Sequence, residues 1–366
     1  MDQSSLINYK FGAGRYFQES GVLSVTGAEA ARLGRRAYIF GSTHALAAAG
    51  RGVEKSLAKA GVSFETEVYA GFPTLEKIES LAQKIKNGFD VIIGAGGGRV
   101  IDASKAAAER AGVPVITVPT TAATCAAFTP ISLCYTEDGR FDRTLWLENE
   151  VAAVVADTDV LAAAPARYLA AGILDSMAKY VEIANGSPKL DFDETPVERH
   201  SAYYIAEYIF NVLKARAAEA VRDAGNKTCT KLLNDVFFIN IALTGMVSGM
   251  TRGKGQTAAA HAFYNGIRRL FCAEARDFLH GEIVAVGLLS QYAYNSQPER
   301  VSWLRGFVRG LGAPASLSEI GVAETEENLS ALFDFMKEAR FMQAPNADEK
   351  KLRASLEYVC GGAERA

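Results

Sequence analysis

The alternation of short apolar runs with helical stretches over the first 120 residues most constrains the fold of this chain. The apolar runs are rich in β-branched and aromatic residues, as in "RAYIFG", "FDVIIGAGGG" and "VPVITVPTT". Helical composition separates them, as in "TLEKIESLAQKIKNG" and "RVIDASKAAAERAG". Strand–helix alternation at this spacing predicts an open parallel sheet with helices on both faces. Gly88 and Gly112, which follow two of the helices, fit the left-handed C-cap position.

The pattern changes after about residue 159, where long alanine- and leucine-bearing stretches with helical periodicity replace the β-branched runs. Pro165 suits the first turn of one such helix. We therefore expect an α/β domain over residues 1–162 and an all-α domain over residues 163–366.

Bulk composition excludes several classes of protein. Hydrophobic residues make up 49% and charged residues 22%, which is an ordinary globular balance. A net charge of -3 argues against a nucleic-acid or anionic-membrane partner. The N-terminal "MDQSSLINYK" lacks the features of a secretory signal, and no apolar run approaches the ~20 residues that cross a bilayer. The 5 cysteines are scattered without a C-x-x-C pair, so we expect a reduced, cytoplasmic protein.

A glycine-rich turn lies between a predicted strand and a predicted helix. Gly94, Gly96, Gly97 and Gly98 stand where backbone N–H groups at a helix N-terminus can bind a pyrophosphate. The spacing is neither G-x-G-x-x-G nor a Walker loop. The alternative is a tight turn whose glycines serve packing, but three consecutive glycines exceed what a turn requires.

The strand "RAYIF" is followed by Gly41, Ser42, Thr43 and His44, with no acid to hold a ribose 2′-hydroxyl. These four residues include no carboxylate that would repel the 2′-phosphate of NADPH. The sequence therefore permits NADPH as well as NADH.

Two of the 4 histidines, His261 and His280, lie nineteen residues apart in apolar surroundings. One helix would separate them by ~28 Å, so a turn near "FCAEARD" is needed to bring them together. A metal held by neutral imidazoles and a carboxylate accounts for both. Asp175, embedded in an apolar helical stretch, is the first candidate carboxylate, and Glu282 is the second. The alternative is two core histidines bonded to backbone carbonyls.

Five motifs occur in an order that resembles the iron-containing alcohol dehydrogenase and glycerol dehydrogenase superfamily over nearly the whole chain. They are "GAGGGRVIDASKAAA", "VPTTAATCAAFTPISLCYTEDG", "LAAGILDSMAKYVE", "AAAHAFYNG" and "FLHGEIVAVGLL". The chain is most similar to the glycerol dehydrogenase branch and its hydroxycarboxylate dehydrogenase relatives. The resemblance implies a dehydroquinate synthase-like architecture, with the active site between an N-terminal dinucleotide-binding domain and a C-terminal helical domain.

Carried over residue by residue, the resemblance places one divalent metal on Asp175, His261 and His280. The metal would polarise an alcohol or ketone oxygen whose carbon exchanges hydride with NAD(P)(H). The resemblance also implies a small-molecule substrate and a homo-oligomer. The implied cofactor-lining residues are Gly97, Gly98, Arg99, Val100, Ile101, Asp102, Thr120, Ala123, Thr129, Ile131 and Tyr135.

Three departures from the family pattern carry information. Iron-type members have a histidine four residues after the aspartate; Lys179 stands there and favours zinc over iron. Glycerol dehydrogenases have a polyol-contacting aspartate where this chain has Cys125. The aspartate that favours NAD corresponds to Gly41. We expect Lys179 to bind a substrate carboxylate, the alternative being that it pairs with Asp175 or Glu182.

These observations favour a metal-dependent NAD(P)(H) oxidoreductase acting on a small 2-oxo or 2-hydroxy acid. Glycerol or another vicinal diol is the alternative substrate. The dehydroquinate synthase branch needs several basic residues, for which Arg252 and Lys254 are sparse. A cofactor-binding sensor without catalysis also stays open, because Lys179 lies beside the expected metal site.

Overall fold

The computed structural model describes residues 9–252 and 255–362, so that Lys254 and most of the N-terminal "MDQSSLINYK" lie outside the described residues. The strands in the described part follow the predicted alternation and add four that were not predicted. They are β1 (Tyr16–Glu19), β2 (Arg36–Gly41), β3 (Ser63–Val68), β4 (Val91–Gly96), β5 (Val115–Pro119), β6 (Ile131–Tyr135), β7 (Phe141–Trp146) and β8 (Ala153–Asp157).

Helices separate the first five strands, and all regular secondary structure that follows β8 in the described residues is helical. The α-helices are α1 (Thr26–Leu33), α2 (Thr43–Ala45), α3 (Arg51–Lys59), α4 (Leu75–Lys86), α5 (Gly98–Ala111), α6 (Thr158–Ala163), α7 (Ala166–Ile183), α8 (Val197–Gly225), α9 (Lys231–Phe238), α10 (Thr244–Met250), α11 (Ala259–Leu270), α12 (His280–Tyr294), α13 (Arg300–Gly310), α14 (Glu326–Lys337) and α15 (Glu349–Ser355). Short π-helical segments join α2 to α3 and α9 to α10.

Six strands form one parallel sheet in the order β1-β8-β5-β4-β2-β3. All residues of β4, β5 and β8 are buried, which explains their continuous apolar sequences. The edge strand β3 instead reads "SFETEV" and is largely exposed. From β2 the chain first adds β3 on one side and then returns to add β4 on the other. This reversal opens a crevice at the carboxyl ends of β2 and β4, the usual ligand position in such sheets.

A two-stranded antiparallel hairpin, β6–β7, follows β5 outside the main sheet. Its turn contains Asp138 and Gly139, and Gly139 has a φ of 87° that suits glycine. In this way the hairpin carries Tyr135, at the end of β6, toward α11.

The helical half packs around two buried helices, α7 and α12. Fourteen residues of α7 are buried, from Leu169 to Ile183, so the polar side chains among them need partners inside the protein. One apolar core cluster runs from Tyr38 in β2 to Val359, so both halves share it. Every strand of the described residues precedes the expected boundary at residue 162, which itself lies inside α6.

The expected glycine caps are confirmed at one helix and wrong at another. Gly112 follows α5 with a φ of 72°, the left-handed conformation that lets its N–H bond to the carbonyls of Ala108 and Glu109. At α4 the cap is Asn87, and Gly88 does not adopt a left-handed conformation.

One stretch of the described residues, Lys231–Met250, is long and apolar enough to span a membrane by length and composition alone. Its most apolar window is 67% buried inside the protein.

Candidate metal and cofactor site

Three helices bring the predicted metal ligands together. Asp175 lies in the middle of α7, His261 in the first turn of α11 and His280 at the first position of α12. The Nε2 atoms of His261 and His280 lie 3.3 and 3.5 Å from Oδ1 of Asp175. One ligand atom from each residue falls within 4.8 Å of the others. Two imidazole nitrogens and one carboxylate oxygen fit one divalent ion with an open coordination position. Both Nε2 atoms face a carboxylate, unlike the carbonyl-bonded histidines of the alternative interpretation.

The expected turn between the two histidines is present between α11 and α12, but Glu282 does not point at the cluster. Its carboxylate accepts the N–H of Leu279 at 2.8 Å, which caps the N-terminus of α12. It also accepts two hydrogen bonds from Arg167, at 2.5 and 2.7 Å. The alternative assignment of Glu282 as the metal-binding carboxylate is therefore wrong, because its oxygens cap α12 and pair with Arg167.

A second carboxylate, Glu182, orients His261 and was not predicted for this role. Its Oε2 lies 2.5 Å from Nδ1 of His261. Its Oε1 accepts the backbone N–H groups of Ala258 and His261, at 2.7 and 2.9 Å. A carboxylate on Nδ1 fixes the ring so that Nε2 faces Asp175, as is usual for metal-binding histidines. Glu182 lies seven residues after Asp175, two turns along the same face of α7.

Lys179 lies inside the same cluster. Its Nζ is 3.0 Å from Oδ1 of Asp175 and 2.9 Å from Nε2 of His261. The residue is 3% exposed. Lys179 therefore pairs with Asp175, as in the alternative interpretation from the sequence, and has His261 as a second partner. A divalent ion on Nε2 of His261 would take the lone pair that accepts from Lys179, so at least that hydrogen bond would be lost.

Burial and mutual charge shift the pKa values of this cluster in opposite directions. Burial alone would raise the pKa of Asp175, but Lys179 and His280 hold it well below its usual range. Burial would lower the pKa of Lys179, but the carboxylate of Asp175 raises it. The pKa of His280 is lowered, chiefly by burial. The side chains therefore supply an ionised carboxylate, an ammonium and, at His280, a neutral imidazole near neutral pH.

The glycine turn between β4 and α5 combines two functions that the sequence could not separate. A Cβ on Gly94 would lie 2.1 Å from Oγ of Ser104, and one on Gly96 would lie 2.7 Å from Cβ of Val100. Those two glycines serve strand–helix packing. Gly97 and Gly98 have more room, since their nearest neighbours would be threonine hydroxyls at 3.5 and 3.7 Å. No side chain caps α5 at Gly97, so its first N–H groups face this space and fit a phosphate.

The end of β2 borders the same crevice. A Cβ on Gly41 would lie 2.4 Å from the carbonyl oxygen of Ala95 on the neighbouring strand. This position therefore has no room for the aspartate that the family pattern suggests. Ser42, the next residue, caps α2 through the N–H of Ala45 at 3.3 Å.

The other predicted cofactor-lining residues surround the start of α5, but they differ in burial. Six are at least partly exposed, namely Gly97, Gly98, Arg99, Thr120, Ala123 and Ile131. The buried ones are Val100, Ile101, Asp102, Thr129 and Tyr135. Five of the eleven residues therefore turn their side chains into the protein, and the other six border the space at the turn. The Tyr135 hydroxyl lies 3.0 Å from that of Tyr264, whose ring packs edge-on against His280 with the centroids 4.1 Å apart.

Residues 120–130, here called the connecting segment, run from the end of β5 to the start of β6 without regular secondary structure. Thr120 donates its N–H to the carbonyl of Gly96 at 3.1 Å, beside the glycine turn. Ala122 accepts from the side chain of Asn240 in the helical half at 3.0 Å. Burial and the charge of Asp175 raise the pKa of the Cys125 thiol to about 11, so Cys125 is a neutral group near the metal ligands.

Comparison with known proteins agrees with this arrangement. Residues 13–158 match the protein-family model for iron-containing alcohol dehydrogenase. A glycerol dehydrogenase of Thermotoga maritima is 32% identical over 315 residues, which covers 84% of each chain. Hydroxycarboxylate dehydrogenase A of Escherichia coli is 32% identical over 291 residues, covering 80% of this chain and 78% of the relative.

Solved structures support the same fold. A probable glycerol dehydrogenase from Sinorhizobium meliloti superposes with a TM-score of 0.84 at 23% identity, covering 97% of this chain and 98% of the other. A maleylacetate reductase from Agrobacterium tumefaciens superposes with a TM-score of 0.72 at 21% identity, covering 99% and 100%.

Proposed function

The chain belongs to the iron-containing alcohol dehydrogenase family, and from this premise we propose that it transfers hydride between NAD(P)(H) and a small 2-oxo or 2-hydroxy acid. It is an oxidoreductase of the alcohol dehydrogenase type. The observation that carries the finer proposal is Lys179, a buried ammonium 2.9 to 3.0 Å from two of the three metal ligands.

The charge balance of the cluster supports an anionic substrate. Asp175 and Glu182 contribute two negative charges, and Lys179 contributes one positive charge. A divalent ion with neutral imidazoles therefore leaves one net positive charge in a buried site. A 2-oxo acid neutralises this charge through its carboxylate, whereas a polyol brings none. Because charge interactions are strong away from water, the imbalance favours the acid.

We propose that Asp175, His261 and His280 hold one divalent ion, with zinc favoured over iron because Lys179 does not supply a third imidazole as a fourth protein ligand. Bound there, the ion supplies Lewis acidity toward an oxygen of the substrate. Glu182 keeps the His261 ring in the ligand orientation. Lys179, once displaced from His261, has an N–H group free to donate to a substrate carboxylate.

The cofactor is proposed to lie in the crevice between β2 and β4, where its nicotinamide supplies or accepts the hydride. Gly97, Gly98 and the first N–H groups of α5 are proposed to bind its phosphates. NADPH is expected to be accepted, because no acid ends β2 and Gly41 has no room for one.

We further propose that residues 1–162 carry the cofactor and residues 163–366 the metal and substrate, in a cytoplasmic homo-oligomer. Glycerol oxidation is the second candidate function, favoured by the names of relatives such as the Thermotoga maritima enzyme. Against it stands Cys125, a neutral buried thiol where a polyol would gain from a carboxylate.

The proposal is tested with purified protein, zinc and a pair of substrates that differ only in charge, 2-oxopentanoate and 2-pentanone. Reduction of both is followed with NADH and with NADPH, and glycerol oxidation is measured in parallel. We expect kcat/KM to be highest for the 2-oxo acid. Faster turnover of glycerol than of any 2-oxo acid would contradict the proposal and identify a polyol as the substrate.

A further inference from the structure

The connecting segment, residues 120–130, borders both the glycine turn and the metal ligands, yet it has no helix or strand to fix it. A single turn, formed by the N–H groups of Phe128 and Thr129 on the carbonyl of Cys125, gives it local order. Its shape therefore depends on bonds from outside the segment.

Lys105 of α5 supplies two of those bonds to the second half of the segment. Its Nζ donates to the carbonyls of Ala126 at 2.7 Å and Thr129 at 2.9 Å, and also to the carbonyl of Ile131 just beyond the segment. An ammonium has three N–H donors, and these three carbonyls match that number. Lys105 is 1% exposed, so an ammonium in this position needs such partners.

Asp102 completes the group from one turn earlier on α5. Its Oδ1 lies 3.3 Å from Nζ of Lys105, and both side chains are buried. The carboxylate balances the buried charge, and a backbone hydrogen bond from Leu133 ties it to β6. The pair thus joins the helix that starts at the glycine turn to the segment that passes the metal ligands.

We propose that Lys105 is a positioning residue for hydride transfer, which fixes the connecting segment and with it the relative placement of cofactor and substrate. The proposal rests on the proposed function, since it takes the cofactor to lie at the glycine turn. Lys105 itself faces three backbone carbonyls and contacts neither reactant in this scheme. Its loss is expected to misalign the reactants rather than to remove a binding group.

The test compares Lys105→Met, which keeps the apolar stem and removes the three donors, with the wild type. We expect kcat to fall about tenfold to a hundredfold, the range that a misplacement of about 1 Å produces. The primary isotope effect with deuterated NAD(P)H should rise, because the transfer step becomes rate-limiting. Bound zinc and the Kd for the cofactor should change little. Lys59→Met, an exposed lysine at the end of α3, is the control.

Thr117→Val provides a second, milder variant in case Lys105→Met does not fold. The Thr117 hydroxyl donates to the carbonyl of Ala127 in the same segment at 2.8 Å, so we expect a smaller loss of kcat in the same direction. Unchanged kcat and isotope effect in the folded variants would overturn the positioning role. A higher cofactor Kd at constant kcat would overturn it too. A wild type that prefers glycerol would refute only the proposed substrate, because hydride transfer is then measured with glycerol.

Discussion

Replacing Lys179 by Met removes the ammonium from the metal-ligand cluster and keeps most of the side-chain volume. This choice is sharper than Lys179→Ala, because Lys179 is 3% exposed and alanine would leave a cavity. We expect reduction of 2-oxopentanoate to lose far more kcat/KM than reduction of 2-pentanone, which has no carboxylate to bind.

The magnitude follows from the hydrogen bond that is lost. A charge-assisted hydrogen bond contributes roughly 1.5–3 kcal/mol, which corresponds to about tenfold to a hundredfold in kcat/KM. The stability of the metal-free variant should fall as well, by about 3–5 kcal/mol, because the buried carboxylate of Asp175 loses its nearest cation. Zinc should restore much of that loss, since a divalent ion at the same donor atoms replaces the missing charge.

The assay measures kcat/KM for both substrates at saturating NADPH, with zinc content checked in each protein. Thermal unfolding is recorded with a chelator and with zinc. Lys231→Met is the matched control, since Lys231 pairs with Asp235 four residues away but is exposed on α9. Equal losses on the charged and the neutral substrate would refute the reasoning and leave Lys179 a structural residue.

The remaining predictions concern the metal and the cofactor. His261→Ala should lose most of the bound zinc and activity while circular dichroism stays near the wild type; normal zinc content and turnover would contradict the ligand assignment. Glu182→Gln should weaken zinc affinity about tenfold to a hundredfold, because it replaces the charged acceptor of His261 Nδ1 by a neutral amide, as measured by competition with a chelator. Ser42→Asp keeps an N-cap on α2 and should lower the kcat/KM ratio of NADPH to NADH, because its carboxylate repels a 2′-phosphate. A wild type that prefers NADH a hundredfold would exclude that account of cofactor choice.

The parallel sheet was predictable where sequence and burial agree. β2, β4 and β5 carry continuous apolar runs because both faces of each strand are covered. β8 was missed since "AVVAD" leads directly into the alanine-rich sequence of α6, so the two read together as one helical stretch. β1 was missed because "YFQE" is short and lies at the sheet edge.

The hairpin of β6 and β7 has a local sequence signal in its turn, although hydrophobic periodicity alone does not indicate the two strands. Asp138 and Gly139 belong to the five-residue loop between the strands, in which the N–H of Gly139 bonds to the carbonyl of Thr136, and an Asp-Gly pair is a common signal of such a turn. Glu182 had no comparable signal, because its partner His261 is 79 residues away and only the packing of α7 against α11 brings them together. Sequence motifs therefore indicated the three candidate ligands, whereas the carboxylate that orients His261 is visible only in the tertiary structure.

The two buried lysines show why similar local patterns have different functions. Lys105 follows Asp102 by three residues on α5, and Lys179 follows Asp175 by four residues on α7. Lys105 donates to three backbone carbonyls, which no ligand can replace, so its ammonium stays in place. Lys179 donates to Asp175 and His261, which are both proposed ligands of a divalent ion. Once the ion takes the lone pair of His261, the buried ammonium needs a new partner, and a substrate carboxylate is the group that can provide one. The two lysines therefore differ in their hydrogen-bond acceptors and not in their position after an aspartate. The acceptors hold Lys105 in place, whereas those of Lys179 allow it to bind a substrate.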